Sequence, residues 1–248
     1  MTSGANHCRA RLIGVGVGPG DPELLTLKAV RALRDAEVVA HFAKAGNASN
    51  SRSIVAGHLK PGVIELPLLY PVTTEMPSSS AGYCSKIDGF HDAAAAAVAA
   101  HLDDGRTVAV ICEGDPLFYG SYMHLHVRLA PRYPTDIIAG VTGMSGCWSA
   151  VGRPIAQGND VFTVLPGTLP ETELERRLTD TDAAVVMKLG RNLPKVRRAL
   201  GRAGRLDRAI YVERGTMPGA ITMPLAAKTD DDAPYFAVVL VPGWDGRP

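Results

Sequence analysis

The stretch Arg11–Asp35, RLIGVGVGPGDPELLTLKAVRALRD, decides how the rest of the chain is read. Its first eight residues, RLIGVGVG, are apolar and β-branched, the composition of a buried parallel strand. The turn Pro19-Gly20-Asp21-Pro22 follows. Asp21 is placed as a helix N-cap with Pro22 at the first helical position, where a missing N–H costs nothing. Leu25, Ala29, Ala32 and Leu33 then recur at helical spacing and give the helix, running to about Asp35, one apolar face. Strand, glycine turn and amphipathic helix together open an α/β domain with a parallel sheet.

The alternation continues outward from there. Ala36–Phe42 reads as a second strand, Asn50–Leu59 as a short helix and Val63–Leu69 as a third strand. Tyr70–Ser85, rich in Pro, Ser and Thr, reads as an exposed loop. Lys86–Asp104 reads as a helix, with Ala93–Ala97 supplying high intrinsic propensity and Gly105 ending it. Thr107–Glu113 is the fourth strand. A second half is expected from about Pro131, giving domains 1–131 and 132–248. It opens on a short strand at Asp136–Ala139 and a helix introduced by GVTGMSG. Val161–Leu165, Ala183–Leu189 and Arg208–Glu213 read as strands, separated by helices near Glu171–Leu178 and Asn192–Ala203. Ile221–Ala226 and Tyr235–Val241 follow with no helix between them, which predicts an antiparallel addition and a mixed C-terminal sheet. The fold class is α/β in two domains.

Composition narrows the function. The 248 residues are 46% hydrophobic, enough for a sizeable core, and carry 26 Lys+Arg against 25 Asp+Glu. The balance of +1 argues against a strongly basic nucleic-acid binder. No apolar run reaches the ~18–20 residues of a membrane helix, and MTSGANHCRARLIG lacks a signal-peptide core, so a cytoplasmic protein without a membrane partner is expected. Cys8, Cys84, Cys112 and Cys147 lie far apart with no C-x-x-C and read as reduced thiols, so no metal site is assigned. His124 and His126 are two apart and point to different sides of a helix.

Ligands of open α/β sheets bind beyond the carboxyl ends of the strands. Four glycine-bearing loops fall there: Gly16-Val-Gly-Pro-Gly-Asp21, Glu113–Gly120 (EGDPLFYG), Gly140–Gly146 (GVTGMSG) and Glu213-Arg-Gly-Thr216. The first is no dinucleotide fingerprint, because G-x-G-x-x-G ends on Pro19 or on Asp21 according to register, and Pro19 removes an N–H that a pyrophosphate would use. No P-loop is present either. Glu113 and Asp115 would repel phosphate but accept from a ribose hydroxyl or an ammonium group and tolerate a sulfonium. Phe118 and Tyr119 add aromatic faces for a cation. The alternative reading, that Asp115 simply caps a helix beginning near Leu117, stays open beside it. H-E-x-x-H and G-x-S-x-G are absent from the sequence. A reaction driven by a reactive cofactor, with the protein mainly positioning it, fits that poverty.

The loops VGVGPGDPELLTLKA (15–29), ICEGDPLFYGS (111–121) and GVTGMSGCWSA (140–150) closely resemble those of the tetrapyrrole methylases, enzymes of corrin and siroheme synthesis that use S-adenosylmethionine (SAM). EGDPLFYGSYMHL, AGNAS (45–49) and MKLGRN (187–192) resemble most the branch that methylates C20 of precorrin-2. The resemblance implies a homodimer of two α/β domains with a cofactor cleft between them, a trough for the macrocycle, SAM as cofactor and S-adenosylhomocysteine as its product. It implies cofactor contacts at Pro19, Glu113, Gly114, Asp115, Phe118, Tyr119, Thr142, Gly143, Met187 and Gly215, with Glu113 where the family frequently has Gly and Arg214 where it has Asn. No catalytic residue is assigned. The substrate's carboxylates need cations, for which Lys44, Arg52, Arg153, Lys188, Arg191 and Arg214 are candidates. Uroporphyrinogen III methylases carry an aspartate after the second strand. Val39–Ala43 has no carboxylate, so that activity is not expected. A cobalt-bound substrate, and same-fold enzymes acting on protein or RNA, are the alternatives.

Overall fold

The structure is a computed structural model and describes residues 10–71 and 81–243. The start of the chain with Cys8, and residues 72–80 of the expected loop, lie outside the described residues, while residues 81–85 of that loop already belong to the helix that follows it. The chain divides into two compact units, with the boundary between Thr142 and Gly143.

The first unit contains β1 (Leu12–Gly16), α1 (Leu27–Asp35), β2 (Val38–Lys44), α2 (Asn50–Ile54), β3 (Ile64–Tyr70), α3 (Ala81–Asp103), β4 (Val108–Cys112), α4 (Tyr122–Leu129) and β5 (Thr135–Ile138). Its five strands are parallel in the order β3-β2-β4-β1-β5. Every residue of β1 and β4 is buried. Successive residues feed two cores on opposite faces, as the period of two requires. Leu12, Val38, Val108 and Val110 pack with α3 and α4, whereas Ile13, Val15, Val39, Ala109 and Ile111 pack with α1.

Two sequence expectations change here. Asp21 does cap, its carboxylate accepting from Glu23 N–H at 2.9 Å, but over a single 3-10 turn, Pro22–Leu24. Thr26 then supplies a second cap, its Oγ1 accepting from Ala29 N–H at 3.1 Å, and α1 starts only at Leu27. The strand expected to open the second half pairs instead with β1 (Leu12 opposite Thr135 through Val15 opposite Ile138), so the break expected at Pro131 moves to Thr142. A four-residue strand has too few side chains to say which sheet it joins. Hydrogen bonding decides that, beginning with Leu12 N–H to Pro134 O at 2.9 Å.

The second unit contains α5 (Gly143–Val151), β6 (Phe162–Pro166), α6 (Glu171–Thr179), β7 (Ala183–Met187), α7 (Leu193–Arg202), β8 (Ile210–Glu213), β9 (Ile221–Pro224) and β10 (Ala237–Val241). Its sheet runs β6-β7-β10-β8-β9 and is mixed, as expected. β6 and β7 are parallel, and β10 inserts antiparallel to both β7 and β8. Ala184, Val186, Tyr211 and Val239 face α6 and α7, while Val185, Val212, Val238 and Leu240 face α5. Among the described residues no helix is long and apolar enough to cross a membrane.

Candidate cofactor site

Three of the four glycine loops meet in the first unit, at the carboxyl ends of β1, β4 and β5. Gly114 is their centre. Its N–H donates to Gly18 O at 2.8 Å, and its carbonyl accepts from Gly18 N–H at 3.4 Å. A β-carbon on Gly16 would lie 2.5 Å from Gly140 N and 2.7 Å from Gly114 O. One on Gly140 would collide with Gly114 O. Three backbones therefore touch where only hydrogen can stand on each α-carbon. Val17 N–H donates to Cys112 O at 2.9 Å and brings the first loop against β4.

The two carboxylates of the Glu-Gly-Asp turn are already engaged by backbone. Asp115 accepts from Leu117 N–H at 2.9 Å with one oxygen and from Gly140 N–H at 3.1 Å with the other. The capping alternative thus describes what the carboxylate does, with two qualifications. The residues after Leu117 are a turn, α4 begins only at Tyr122, and the second oxygen reaches across to the third loop. Glu113 accepts from Ser51 N–H at 2.9 Å. Burial pushes its carboxyl above the usual carboxylate range, opposed by backbone N–H donors from Glu113 itself and from Ser51. Burial likewise pushes the Cys112 thiol up to about 12 and the Cys147 thiol up to about 11, so neither is an activated nucleophile.

Pro19 is half-buried at the end of the first loop. Phe118 packs edge-on against Tyr119, with centroids 5.0 Å apart. Tyr119 is exposed and has φ 54°, a conformation costly for a residue with a β-carbon. Thr142 is the last residue of the first unit, and Gly143 begins α5.

The fourth loop lies in the second unit. There Gly215 packs on Cys147 of α5, and a β-carbon on it would come within 2.8 Å of Cys147 Cα and 2.9 Å of its Sγ. Met187 ends β7, and Gly167 N–H donates to Met187 O at 2.6 Å. The Oγ1 of Thr216 is buried with no hydrogen-bond partner among the described residues. Sequence reading passed over this hydroxyl, because only packing reveals a donor left without an acceptor.

The candidate carboxylate partners fare differently. Arg52 is paired with Glu65 through both Nε and Nη2, the latter at 2.8 Å, which holds the Glu65 carboxyl down. Lys44 ends β2. Lys188 and Arg214 are exposed, and their φ values of 57° and 52° place both in the left-handed region directly after β7 and β8. Arg191 lies exposed in the 3-10 turn Gly190–Asn192. Arg153 lines a cavity of 410 Å³ with Trp148, Ile155 and Phe162.

These loops carry Asp21, Glu113 and Asp115 but no Lys or Arg from Gly16 to Asp21, Glu113 to Gly120 or Gly140 to Gly146. That electrostatic setting is wrong for a phosphate and right for a cationic or neutral ligand held largely by backbone. Loops of this kind, on α/β units, are those of proteins that hold a phosphate-free nucleoside cofactor by backbone. The pattern of the family described as Tetrapyrrole (Corrin/Porphyrin) Methylases matches residues 11–227, and the chain belongs to that family. It is 65% identical, over 96% of its length and 97% of the relative's, to the precorrin-2 C(20)-methyltransferase of Sinorhizobium sp. Against the cobalt-precorrin-2 C(20)-methyltransferase of Salmonella typhimurium the identity is 26%, over 93% of this chain and 95% of that one. A structure of uroporphyrin-III C-methyltransferase from Thermus thermophilus, complexed with S-adenyl homocysteine, shares the fold with a TM-score of 0.65 at 24% identity, covering 93% and 96% of the two chains.

Proposed function

We propose that this chain transfers a methyl group from SAM to C20 of precorrin-2, giving precorrin-3A and S-adenosylhomocysteine in corrin ring synthesis. The observation that carries the reading is the 65% identity, which runs nearly end to end in both chains and so includes every loop of the candidate site. The metal-free substrate is preferred to the cobalt complex because identity to the cobalt-precorrin relative falls to 26% over a similar span.

When bound, SAM supplies a methyl on a sulfonium, a group that an electron-rich carbon takes in a single displacement. The loops fit such a molecule on three counts. The first three loops offer close backbone and no side-chain cation, they carry Asp21, Glu113 and Asp115, and the fourth, which holds Arg214, leaves the buried Thr216 hydroxyl without a hydrogen-bond partner among the described residues. The proposed cofactor contacts are Pro19, the backbone of Glu113, Gly114 and Asp115, then Phe118, Tyr119, Thr142, Gly143, Met187 and Gly215, with Thr216 added. The carboxylate of Asp115 fixes the shape of its turn, accepting from Leu117 and Gly140 N–H, while that of Glu113 reaches back to Ser51 N–H. Preorganised backbone of this kind holds a reactive methyl in line with its acceptor without reorganising during the reaction.

Lys44, Arg153, Lys188, Arg191 and Arg214 are proposed to meet the carboxylates of the macrocycle. Arg52 belongs to the same proposal, through the part of its guanidinium that the pair with Glu65 leaves over. A homodimer in the cytoplasm belongs to the same proposal and rests on the resemblance to the family.

The test is anaerobic incubation with SAM and precorrin-2, with and without cobalt, read by mass and by carbon-13 resonance. One methyl gained at C20 of the metal-free substrate is expected. A methyl elsewhere, or none, refutes the assignment, and turnover of the cobalt form alone moves it to the other branch.

A further inference from the structure

Glu113 stands at the end of β4, in the turn whose glycine is the centre of the backbone knot, yet its side chain looks the other way. Its Oε1 accepts from Ser51 N–H at 2.9 Å, 62 residues back in the chain, in the first turn of α2. That turn is fastened on every side. Ser49 caps it, its Oγ accepting from Arg52 N–H at 3.4 Å, and lies 3.1 Å from the buried Ser51 Oγ. Ser53 Oγ donates to Ser49 O at 3.0 Å. Arg52 ties it to Glu65 of the edge strand β3. The segment Lys44–Ser49, which joins β2 to this turn, lies at the carboxyl edge of the sheet, and Asn47 N–H closes it on Lys44 O at 2.9 Å.

We infer that Glu113 is a positioning residue: its side chain straps the first turn of α2, and through the Ser49 cap the Lys44–Ser49 segment leading into it, to the Glu-Gly-Asp turn, and so sets where that segment meets the tetrapyrrole. The strap is independent of the knot that shapes the cofactor loops, because Gly114 is held by Gly18, Gly16 and Gly140 and Asp115 by Leu117 and Gly140. Cutting it therefore loosens the substrate side more than the cofactor side. A carboxylate removed here leaves the Ser51 N–H without its acceptor, whereas a carboxamide still offers one oxygen. The inference rests on the function proposed above only for its substrate, since the strap itself is testable without turnover.

Glu113→Ala and Glu113→Gln are compared with the parent in three measurements: amide hydrogen exchange over residues 49–52, affinity for S-adenosylhomocysteine, and separate kcat and KM for precorrin-2. The Ala variant is expected to speed exchange there and to raise KM about tenfold, the size of one lost buried acceptor, with a smaller loss of kcat and of homocysteine-product affinity. Gln is expected to restore the protection and most of the KM. Three results overturn the inference: unchanged exchange in Ala, a tenfold loss of S-adenosylhomocysteine affinity in Ala, or a collapse of kcat in Gln together with loss of the acidic limb of the pH profile. The last would make Glu113 a general base. If Ala does not fold, the Gln exchange and KM data decide alone. Should the parent not methylate precorrin-2, the function falls while exchange still judges the strap.

Discussion

Gly14, in the middle of β1, lies against the ring of Tyr122, the first residue of α4. A β-carbon at Gly14 would stand 2.5 Å from both Cε1 and Cζ of that ring. Tyr122 is fully buried, and its hydroxyl is 3.2 Å from His126 Nδ1, so the ring has nowhere to retreat. A glycine inside an otherwise branched strand is the mark of such an approach.

Gly14→Ala is therefore expected to destabilise the protein by about 1–3 kcal/mol, the usual cost of overpacking a core. Urea unfolding measures it. A loss near zero would mean that α4 shifts to make room.

Gly140 meets Gly114 O and Gly16 at a point where the three loops touch. Gly140→Ala forces those backbones apart and is expected to weaken S-adenosylhomocysteine binding at least about tenfold, equivalent to ~1.4 kcal/mol. Titration calorimetry on a variant with parental circular dichroism checks this. Unaltered affinity would remove the knot from the cofactor site.

Asp115→Ala strands two N–H groups, those of Leu117 and Gly140. The first bond is exposed and the second part-buried, so each is worth about 0.5–1.5 kcal/mol, and in a protein of this size each kcal/mol moves Tm by roughly 2–4 °C. A drop of several degrees is expected, partly recovered in Asp115→Asn, which keeps one acceptor oxygen. Equal melting of the Ala and Asn variants would show that the carboxylate's charge, and not its geometry, matters.

Arg214→Ala and Arg52→Ala separate a cation proposed to meet the ligand from one already paired within the fold. Arg214 is exposed and makes no side-chain hydrogen bond or ion pair among the described residues, while Arg52 is bound to Glu65. Arg214→Ala is expected to raise KM for the tetrapyrrole about tenfold or more, as loss of a charged hydrogen bond does. Its Tm should hold. Arg52→Ala is expected to lower Tm first. Steady-state kinetics beside thermal melts decide, and the reverse pattern would exchange the two roles.

His91 is buried against His124, the rings stacked 3.9 Å apart, and neither nitrogen of His91 has a hydrogen-bond partner among the described residues. Burial pulls its pKa down to about 4, helped by His124 and Arg128 and opposed by Asp88 and Asp92. His124 is lowered too, again chiefly by burial. The unfolded chain, with histidine near 6.5, binds more protons than the folded one between those values. Stability is thus full above about pH 6.5 and is lost progressively toward pH 4. Unfolding curves at pH 7 and pH 5 test this, with His91→Leu expected to flatten the difference. An equally steep dependence in that variant would place the sensitivity elsewhere.

Much of the fold was legible because burial on both faces leaves a continuous apolar run. LIGVG and VAVIC could be little else than central parallel strands. Helix starts were less legible, since Asp21 and Thr26 are both competent caps five residues apart and only the packed chain selects the second for α1. β5 was assigned to the wrong half because four residues with a mixed pattern carry no sheet address. In the site, glycine spacing located the loops, while the partners of Glu113 and Asp115 stayed hidden. A carboxylate's type says that it accepts, and its position in sequence does not say from whom.

The order and kind of residues alone settled the alternating α/β architecture, the mixed second sheet, the family and the loops that could receive a phosphate-free cofactor. Those are properties of local pattern: periodicity, turn chemistry and the absence of cations. Tertiary structure alone decided that Gly16, Gly114 and Gly140 share one point, that Glu113 reaches back to Ser51, that Arg52 pairs with Glu65, and that Thr216 keeps a hydroxyl without a hydrogen-bond partner among the described residues. The contacts among these join segments distant in sequence, 13 residues for Arg52 and Glu65 and 62 for Ser51 and Glu113. Such contacts depend on strand order and register, which no local pattern encodes.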